Sequence, residues 1–389
     1  MLRTVGKYSN LFQYYAARIF RTWRRRQIDD LVSWSNSRNS DLRPGCTALI
    51  GMPHHLPNVL LGNLECFASN SWTKLEEIIV VVDSVHGCLP EGFEARASEI
   101  ARNIPLRFLY YSNEQAERTE RIRDPFVFSW LSWSIGIANC RTQVALLHDY
   151  DAIILDNCLE TRFKKFVKSG AKFQGVRWYS GNGIEEADHL GTTFEAFLDV
   201  AWVREHRPVM LFNRVDRIAE RTVDFDTFLE LQAKFAARHE RTIEPMPPNS
   251  LVHPSQMICQ FTNVRRRPRV AGPVYSLPMI PFFEWLGGAP RAMACAADRI
   301  SRSQSKIVQF LDDQEVDFST LTVSSVDWCL KQMLQVCEAR KIDPERQLYD
   351  YGLQLYHLAG GADAPIWVGD FTADQRKWIA AASALGRSA

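Results

Sequence analysis

The chain of 389 residues lacks several things, and each absence closes a class of function. It has no excess of either charge: 46 Lys and Arg stand against 45 Asp and Glu, a formal net charge of +1. Bulk attraction therefore does not steer it to nucleic acid, and no nucleic-acid partner is expected. It has no CxxC pair; its nine cysteines are scattered at irregular spacing. An odd count without a secretory leader points to reduced thiols in a cytoplasm. No apolar run approaches the roughly 18–20 residues that a membrane span needs. The expected location is cytoplasmic, with peripheral attachment to the inner face of a membrane left open. Internal repeats and low-complexity tracts are absent too. What remains is ordinary globular material, 46% hydrophobic and 23% charged, enough for one large domain or two smaller ones.

Residues 7–26, KYSNLFQYYAARIFRTWRRR, carry six bases and no acid. Phe12, Tyr15, Ile19 and Trp23 recur at spacings of three and four, so they share one helical face. Two readings are open. The face lies on an anionic membrane, with aromatics in the headgroup boundary and arginines on lipid phosphates. Alternatively it docks on the protein's own main domain. SNSRNSDLRPG (35–45) reads as a polar connector.

From Thr47 strands and helices alternate. TALIG (47–51), the continuous β-branched EIIVVVDS (77–84), LRFLYY (106–111) and QVALLH (143–148) read as strands. VLLGNLECFA (59–68), EGFEARASEIARNI (91–104) and PFVFSWLSWSIGIANC (125–140) read as the helices between them. This order predicts an α/β fold with a largely parallel sheet wrapped by helices. Beyond residue 190 a helix is expected over 224–240, a Pro-rich aromatic segment over 266–290, and mostly helix over 297–389.

The fourth strand runs into LLHDYDAIIL (146–155), with Asp149 and Asp151 one residue apart. Ligands bind at the carboxyl ends of strands in such sheets. Two carboxylates there offer oxygen to a hard divalent cation, which completes its shell with water and substrate phosphates. The bland alternative is that Asp149 caps the turn and Asp151 is exposed.

Three features in order resemble the GT-A nucleotide-sugar glycosyltransferases, most closely the large inverting group often called family 2, over roughly residues 46–260. They are a strand ending near Gly51-Met52-Pro53, the Asp83 of EIIVVVDS, and the DxD of LLHDYDAII. The sequence departs from that pattern at Ser84, where a second acid is usual, and at PHHLP, where a looser turn is common. The resemblance implies a GT-A, Rossmann-like sheet and transfer of a sugar from a nucleotide-sugar donor to an acceptor hydroxyl, with inversion. It implies a bound divalent metal, Mn or Mg. It places Pro53, Asp83 and Asp149 on the nucleotide and Asp151 on the metal, with a later histidine, His253 of SLVHPSQMICQ, reaching back to it. It also implies a catalytic base some 70–100 residues after the DxD at the start of a helix. Asp226 of RTVDFDTFLELQ fits, with Asp224 as its neighbour. The acceptor (saccharide, lipid-linked or protein) is not readable.

Plainer roles stand beside these. Asp83 serves equally as a cap on the next helix and Asp226 as an N-cap, and His253 as a hydrogen-bonded structural residue. RWYSGNGIEE (177–186) suits a sugar-binding loop or a plain turn. NVRRRPR (263–269) suits a diphosphate, an acidic acceptor or solvent. PFFEWLGG (281–288) suits an acceptor wall or the core. The organisation expected is a basic helix and connector (1–45), a catalytic domain (46–290) and a mostly helical C-terminal region (291–389). Two other functions compete: a HAD-type phosphatase using the DxD with FLDDQEVD (310–317), and an inactive scaffold tethered by the N-terminal helix.

Overall fold

The computed structural model describes residues 8, 10–35, 37–70, 72–177, 182–245, 250–267, 270–311, 314–361, 363 and 365–385. In chain order they form α1 (Leu11–Ile28), β1 (Arg43–Met52), α2 (Pro57–Ala68), β2 (Leu75–Val82), α3 (Phe93–Ala101), β3 (Leu106–Tyr110), α4 (Asn113–Ile122), α5 (Pro125–Asn139) and β4 (Thr142–His148). Then come β5 (Ile153–Ile154), α6 (Cys158–Ser169), β6 (Phe173–Arg177), β7 (Gly191–Asp199), α7 (Val200–Arg204), β8 (Arg214–Ile218), β9 (Arg221–Phe225), α8 (Leu229–Phe235) and β10 (Arg241–Glu244). The last are β11 (Leu251–Val252), α9 (Met257–Arg266), α10 (Met279–Leu286), α11 (Ala292–Arg302), β12 (Ile307–Leu311), β13 (Gln314–Asp317), α12 (Val323–Arg340), α13 (Glu345–Gly360) and α14 (Ala373–Leu385). The chain divides into two compact units. One comprises Met1–His54, Asn70–Tyr150 and Asn157–Pro248; the other comprises His55–Ser69, Asp151–Asp156 and Asn249–Ala389.

The first unit is α/β. Its seven-stranded sheet has the order β10-β6-β7-β4-β1-β2-β3. Only β7 runs antiparallel to its neighbours, β4 and β6; the other pairings are parallel. The continuous apolar run of β2 is buried along almost its whole length, as a strand covered on both faces requires. Helix α5 starts at a Pro in its first turn, with the Asp124 side chain accepting from Phe126 N. It lies close against β1: a Cβ on Gly136 would meet Leu49 at 3.3 Å. Trp130 and Leu131 of α5 share one core with Leu49, Ile79 and Val81 of the sheet. That core continues to Ile28 of α1 and to Phe212 and Phe228 near α8.

Helix α4 escaped the sequence reading because NEQAERTERI shows little apolar period. It buries only Thr119 and Ile122, and a capping box between Ser112 and Gln115 starts it. The helix expected over 224–240 is shorter than its pattern. Residues 221–225 instead pair with 214–218 as a hairpin, and helix resumes only over Leu229–Phe235. Val223, Phe225 and Leu229 pack together with Ile184 and Leu190, and that tertiary cluster overrides the local helical period.

Helix α1 docks through Tyr14, Arg24, Arg25 and Ile28. Phe12 and Ile19 are 82% and 69% exposed, and Tyr15 and Trp23 also face outward. The aromatic face therefore does not dock on the domain, contrary to that reading. The arginines are not all available to lipid either. Arg18 pairs with Asp216, Arg21 and Arg24 with Asp124, and Arg25 with Glu230.

In the second unit α2 packs on α10, and α11 to α13 pack with the β12–β13 hairpin beside them. The hairpin interrupts the helix expected there and contains the described part of FLDDQEVD; residues 312–313 lie outside the described residues. Of PFFEWLGG, Phe282 and Phe283 of α10 are fully buried in the core, while Glu284 and Trp285 are half-buried. Cys46, Cys140, Cys329 and Cys337 are buried. Among the described residues no helix is long and apolar enough to cross a membrane.

Candidate functional site

The register of the sheet sets the site. Met52 of β1 lies opposite Val82 of β2, and Leu49 opposite Leu147 of β4. Asp83 is thus level with Pro53, and Asp149 level with Gly51. With β1 between them and strands about 4.8 Å apart, the carboxyl ends of β2 and β4 stand about 10 Å apart. This is where strand order reverses, β1 leading to β2 on one side and β4 lying on the other.

Asp83 Oδ1 accepts from His54 N at 2.8 Å and lies 2.7 Å from His54 Nδ1. It therefore secures the turn after β1, at Pro53-His54, and does not cap α3, whose N-cap is Gly92. The PHHLP departure thus has a structural partner: His54 occupies the acid that ends β2.

The end of β4 is locked from below. His148 is fully buried, its Nδ1 2.6 Å from Glu195 Oε2 on β7. Arg162 of α6 donates to Glu195 O at 3.0 Å and lies 3.8 Å from its carboxylate. Asp149 N donates to Phe194 O at 2.9 Å. These bonds hold Asp149 at the rim.

Asp151 is only 4% exposed, so the turn reading with Asp151 in solvent is overturned. Its surroundings in the second unit explain the burial. Asn63 of α2 donates to Ala152 O at 2.7 Å. The short antiparallel ladder pairs Ile154 with Leu251 and Ile153 with Val252. Continued by one residue, that register sets His253 across from Ala152, beside Asp151. His253 Nε2 lies 3.4 Å from Asp151 Oδ1. Asp149 precedes Asp151 by one intervening residue, the buried Tyr150, so chain connectivity keeps the two acids together. One ligand atom from each of Asp149, Asp151 and His253 falls within 4.8 Å of the others. Adjacent ligands of an octahedral ion at about 2.1 Å stand about 3 Å apart. The His253–Asp151 spacing is near that value. Two carboxylates and an imidazole suit a divalent cation, and the nitrogen favours Mn over Mg or Ca.

Asp226 lies in the turn between β9 and α8. Its Oδ1 accepts from Asn213 Nδ2 at 2.9 Å and from Thr227 N at 2.8 Å. The N-cap of α8 is Phe228, with no side-chain bond, so Asp226 is not that helix's cap. Burial pushes its carboxyl above the ordinary range; the Thr227 and Asn213 bonds oppose this, while nearby Asp224 adds to it. Asp224 is buried and accepts from Tyr8 OH at 3.1 Å. Asn213, His54 and Asn63 had no sequence signal, since each acts on residues far along the chain.

Residues 178–181 of RWYSGNGIEE lie outside the described residues, as do 268–269 of NVRRRPR. Among the rest, Arg221 donates to Gly183 O at 2.8 Å. Arg265 of α9 lies over the Phe261 ring at 5.8 Å.

No protein-family model matches the chain, and no curated protein matches it in sequence. Among solved structures it is similar to TarS 1–349 of S. aureus, at 11% identity over 84% of this chain and 99% of that one, with a TM-score of 0.35. It is similar also to PcManGT, a mannosyltransferase of Pyrobaculum calidifontis solved with GDP-Man and Mn2+. There the identity is 10%, over 75% of this chain and 85% of that one, with a TM-score of 0.30. A third is the galactosyltransferase LgtC, solved with donor and acceptor sugar analogs. It is 9% identical over 42% of this chain and 62% of that one, with a TM-score of 0.33. The class of the fold is α/β: a mostly parallel seven-stranded sheet flanked by helices, with one antiparallel strand beside β4.

Proposed function

We propose that the protein is a metal-dependent glycosyltransferase. It moves a sugar from a nucleoside-diphosphate sugar to an acceptor hydroxyl, with inversion. The observation that carries this reading is the meeting of Asp151 and His253 across the β5–β11 ladder, immediately after the strand end that bears Asp149.

Asp149, Asp151 and His253 hold Mn2+ or Mg2+, and the bound ion supplies neutralisation of the departing diphosphate. Pro53, Asp83 and Asp149 take the nucleoside. Asp226 accepts the proton of the acceptor hydroxyl as its oxygen bonds to the anomeric carbon. The bond from that carbon to the diphosphate oxygen breaks on the opposite face, which inverts the centre. A carboxyl raised by burial is a stronger base than an exposed one, and this supports the assignment. The acceptor class is a saccharide, a lipid-linked molecule or a protein.

A peripheral membrane contact through residues 7–26 belongs to the same proposal, in altered form. Its support is an outward helix face that carries Phe12, Ile19 and Trp23 and no acid, with Arg26 exposed at its end. Because four of the bases are paired inside the fold, apolar insertion and not lipid charge supplies the attraction. A phosphatase on the same acids is less well supported, since three strands precede the DxD.

Calorimetric titration with UDP- and GDP-sugars, with and without Mn2+, tests the reading. One donor is expected to bind only with the metal. Asp151→Asn and His253→Ala are each expected to weaken that binding by at least about 10–100-fold, the effect seen even for residues that merely support metal ligands. Equal donor binding in the presence of a chelator would sink the proposal.

A further inference from the structure

We propose that α1 is a brace for the Asp226 carboxylate, with Arg25 as its positioning residue; this rests on Asp226 serving as the base. Asp226 sits in a turn that its own sequence does not favour. Phe228, two residues on, has φ 66°, in the left-handed region that bulky side chains avoid. Such a conformation persists only where the surroundings over-determine it.

The first layer of support is the segment 211–213. Phe228 N donates to Leu211 O at 2.9 Å. Asn213 Nδ2 donates to Asp226 Oδ1, and Thr227 Oγ1 donates to Asn213 Oδ1, each at 2.9 Å. Both Asn213 and Phe228 are buried, so bulk water has little access to these three bonds.

The second layer comes from α1. Arg25 is buried and donates its Nη2 to Phe212 O, 187 residues away. The same nitrogen lies 2.6 Å from Glu230 Oε2 on α8. One guanidinium therefore ties together the chain just before Asn213 and the helix just after Asp226. Glu230 is itself buried, with Arg214 at 3.2 Å and Lys234 at 2.7 Å from its other oxygen. Further along the N-terminal segment, Tyr8 OH donates to Asp224, two residues before the base. Arg18 lies 3.7 Å from Asp216, and Arg217 sits 5.6 Å over the Tyr14 ring. The buried face of α1 thus meets β8 and both flanks of the Asp226 turn. A helix that merely covered apolar surface would not need buried arginine there. A planar fork that reaches a carbonyl and a carboxylate together is what lysine cannot reproduce.

A base acts only within hydrogen-bond reach of its proton, and a misplacement of about 1 Å costs about 10²-fold in rate. The test uses the full chain with Arg25→Met and Arg25→Lys. Hydrogen–deuterium exchange in Arg25→Met is expected to quicken over 211–213 and 226–230 while β1 to β4 keep their protection. Donor affinity with Mn2+ is expected to stay as in wild type, kcat to fall about 10²-fold, and Arg25→Lys to recover part of it. In an Asp226→Asn background, Arg25→Met is expected to add no further loss. Unchanged exchange over 211–230, an unchanged kcat, or an additive loss in that background each overturns the brace. If Arg25→Met does not fold, Tyr8→Phe removes only the bond to Asp224. It should lower kcat by a smaller factor at constant donor affinity, and a wild-type kcat in it overturns the proposal. Should the wild-type chain bind no nucleotide sugar, the proposed function falls, while the exchange comparison still decides whether α1 holds the turn.

Discussion

Replacing Asn213 by alanine changes one buried side chain and interrogates the charge of Asp226. The amide makes two bonds, Nδ2 to Asp226 Oδ1 and Oδ1 from Thr227 Oγ1, both at 2.9 Å. A hydrogen bond to a charged group contributes about 1.5–3 kcal/mol and a neutral one about 1 kcal/mol. Asn213→Ala should therefore cost about 3 kcal/mol of stability at neutral pH. The effect on titration has a definite sign. Burial raises the Asp226 carboxyl, and the Asn213 donor pulls it down by favouring the ionised form. Without that donor the carboxyl rises further. A base must be ionised to take a proton, so the acidic limb of kcat/KM moves to higher pH in the variant. Stability follows the same linkage. A carboxyl held more tightly protonated in the folded than in the unfolded state lowers stability as pH rises from the unfolded value through the raised folded one. The deficit of the variant should therefore grow across that window and be smallest at acid pH. The assays are kcat/KM between about pH 3 and 8 at fixed ionic strength, a span that brackets free carboxylates and histidine, and urea unfolding at several pH values. A limb that stays in place or moves to lower pH refutes Asp226 as the titrating base. A stability loss independent of pH refutes the role given to Asn213.

Two further outcomes are expected. A Cβ at Gly287 would lie 1.8 Å from Asn58 O, so Gly287→Ala should force the end of α10 away from α2. The expected loss is about 3 kcal/mol or more, and a wild-type urea midpoint would show that the two helices separate freely. Co-sedimentation with vesicles should show binding that survives high salt and is lost in the double variant Phe12→Ser, Ile19→Ser. Each side chain contributes about 1.5–3 kcal/mol if fully buried. Binding that vanishes with salt and ignores the double variant would contradict apolar insertion.

Much of the first unit was legible because its signals are local. The unbroken β-branched run of β2, the aromatic helix α5 and the strand that ends in Asp149 follow from residue period alone. So did the acid pair, since two residues one apart are neighbours in any fold. The short helix α8 was misjudged at its start, and α4 was missed. In the first case distant packing decided the conformation, and in the second charged residues concealed the helical period. The outward face of α1 was visible as a stripe, but not which of its faces the domain would take. That was decided by Arg25 reaching Phe212 O, 187 residues away.

The sequence by itself determined the alternation of strand and helix, and hence the α/β class. It also determined that two carboxylates close the fourth strand. It did not determine that Asp151 would be buried, nor which side chains would support the acids. The register of β5 with β11 brings His253 beside Asp151, and Asn213 meets Asp226 only because a hairpin returns the chain to it. Spacing along a chain sets which side chains share a face within one element. Which elements meet is set by burying those faces together, and that is a property of the whole fold.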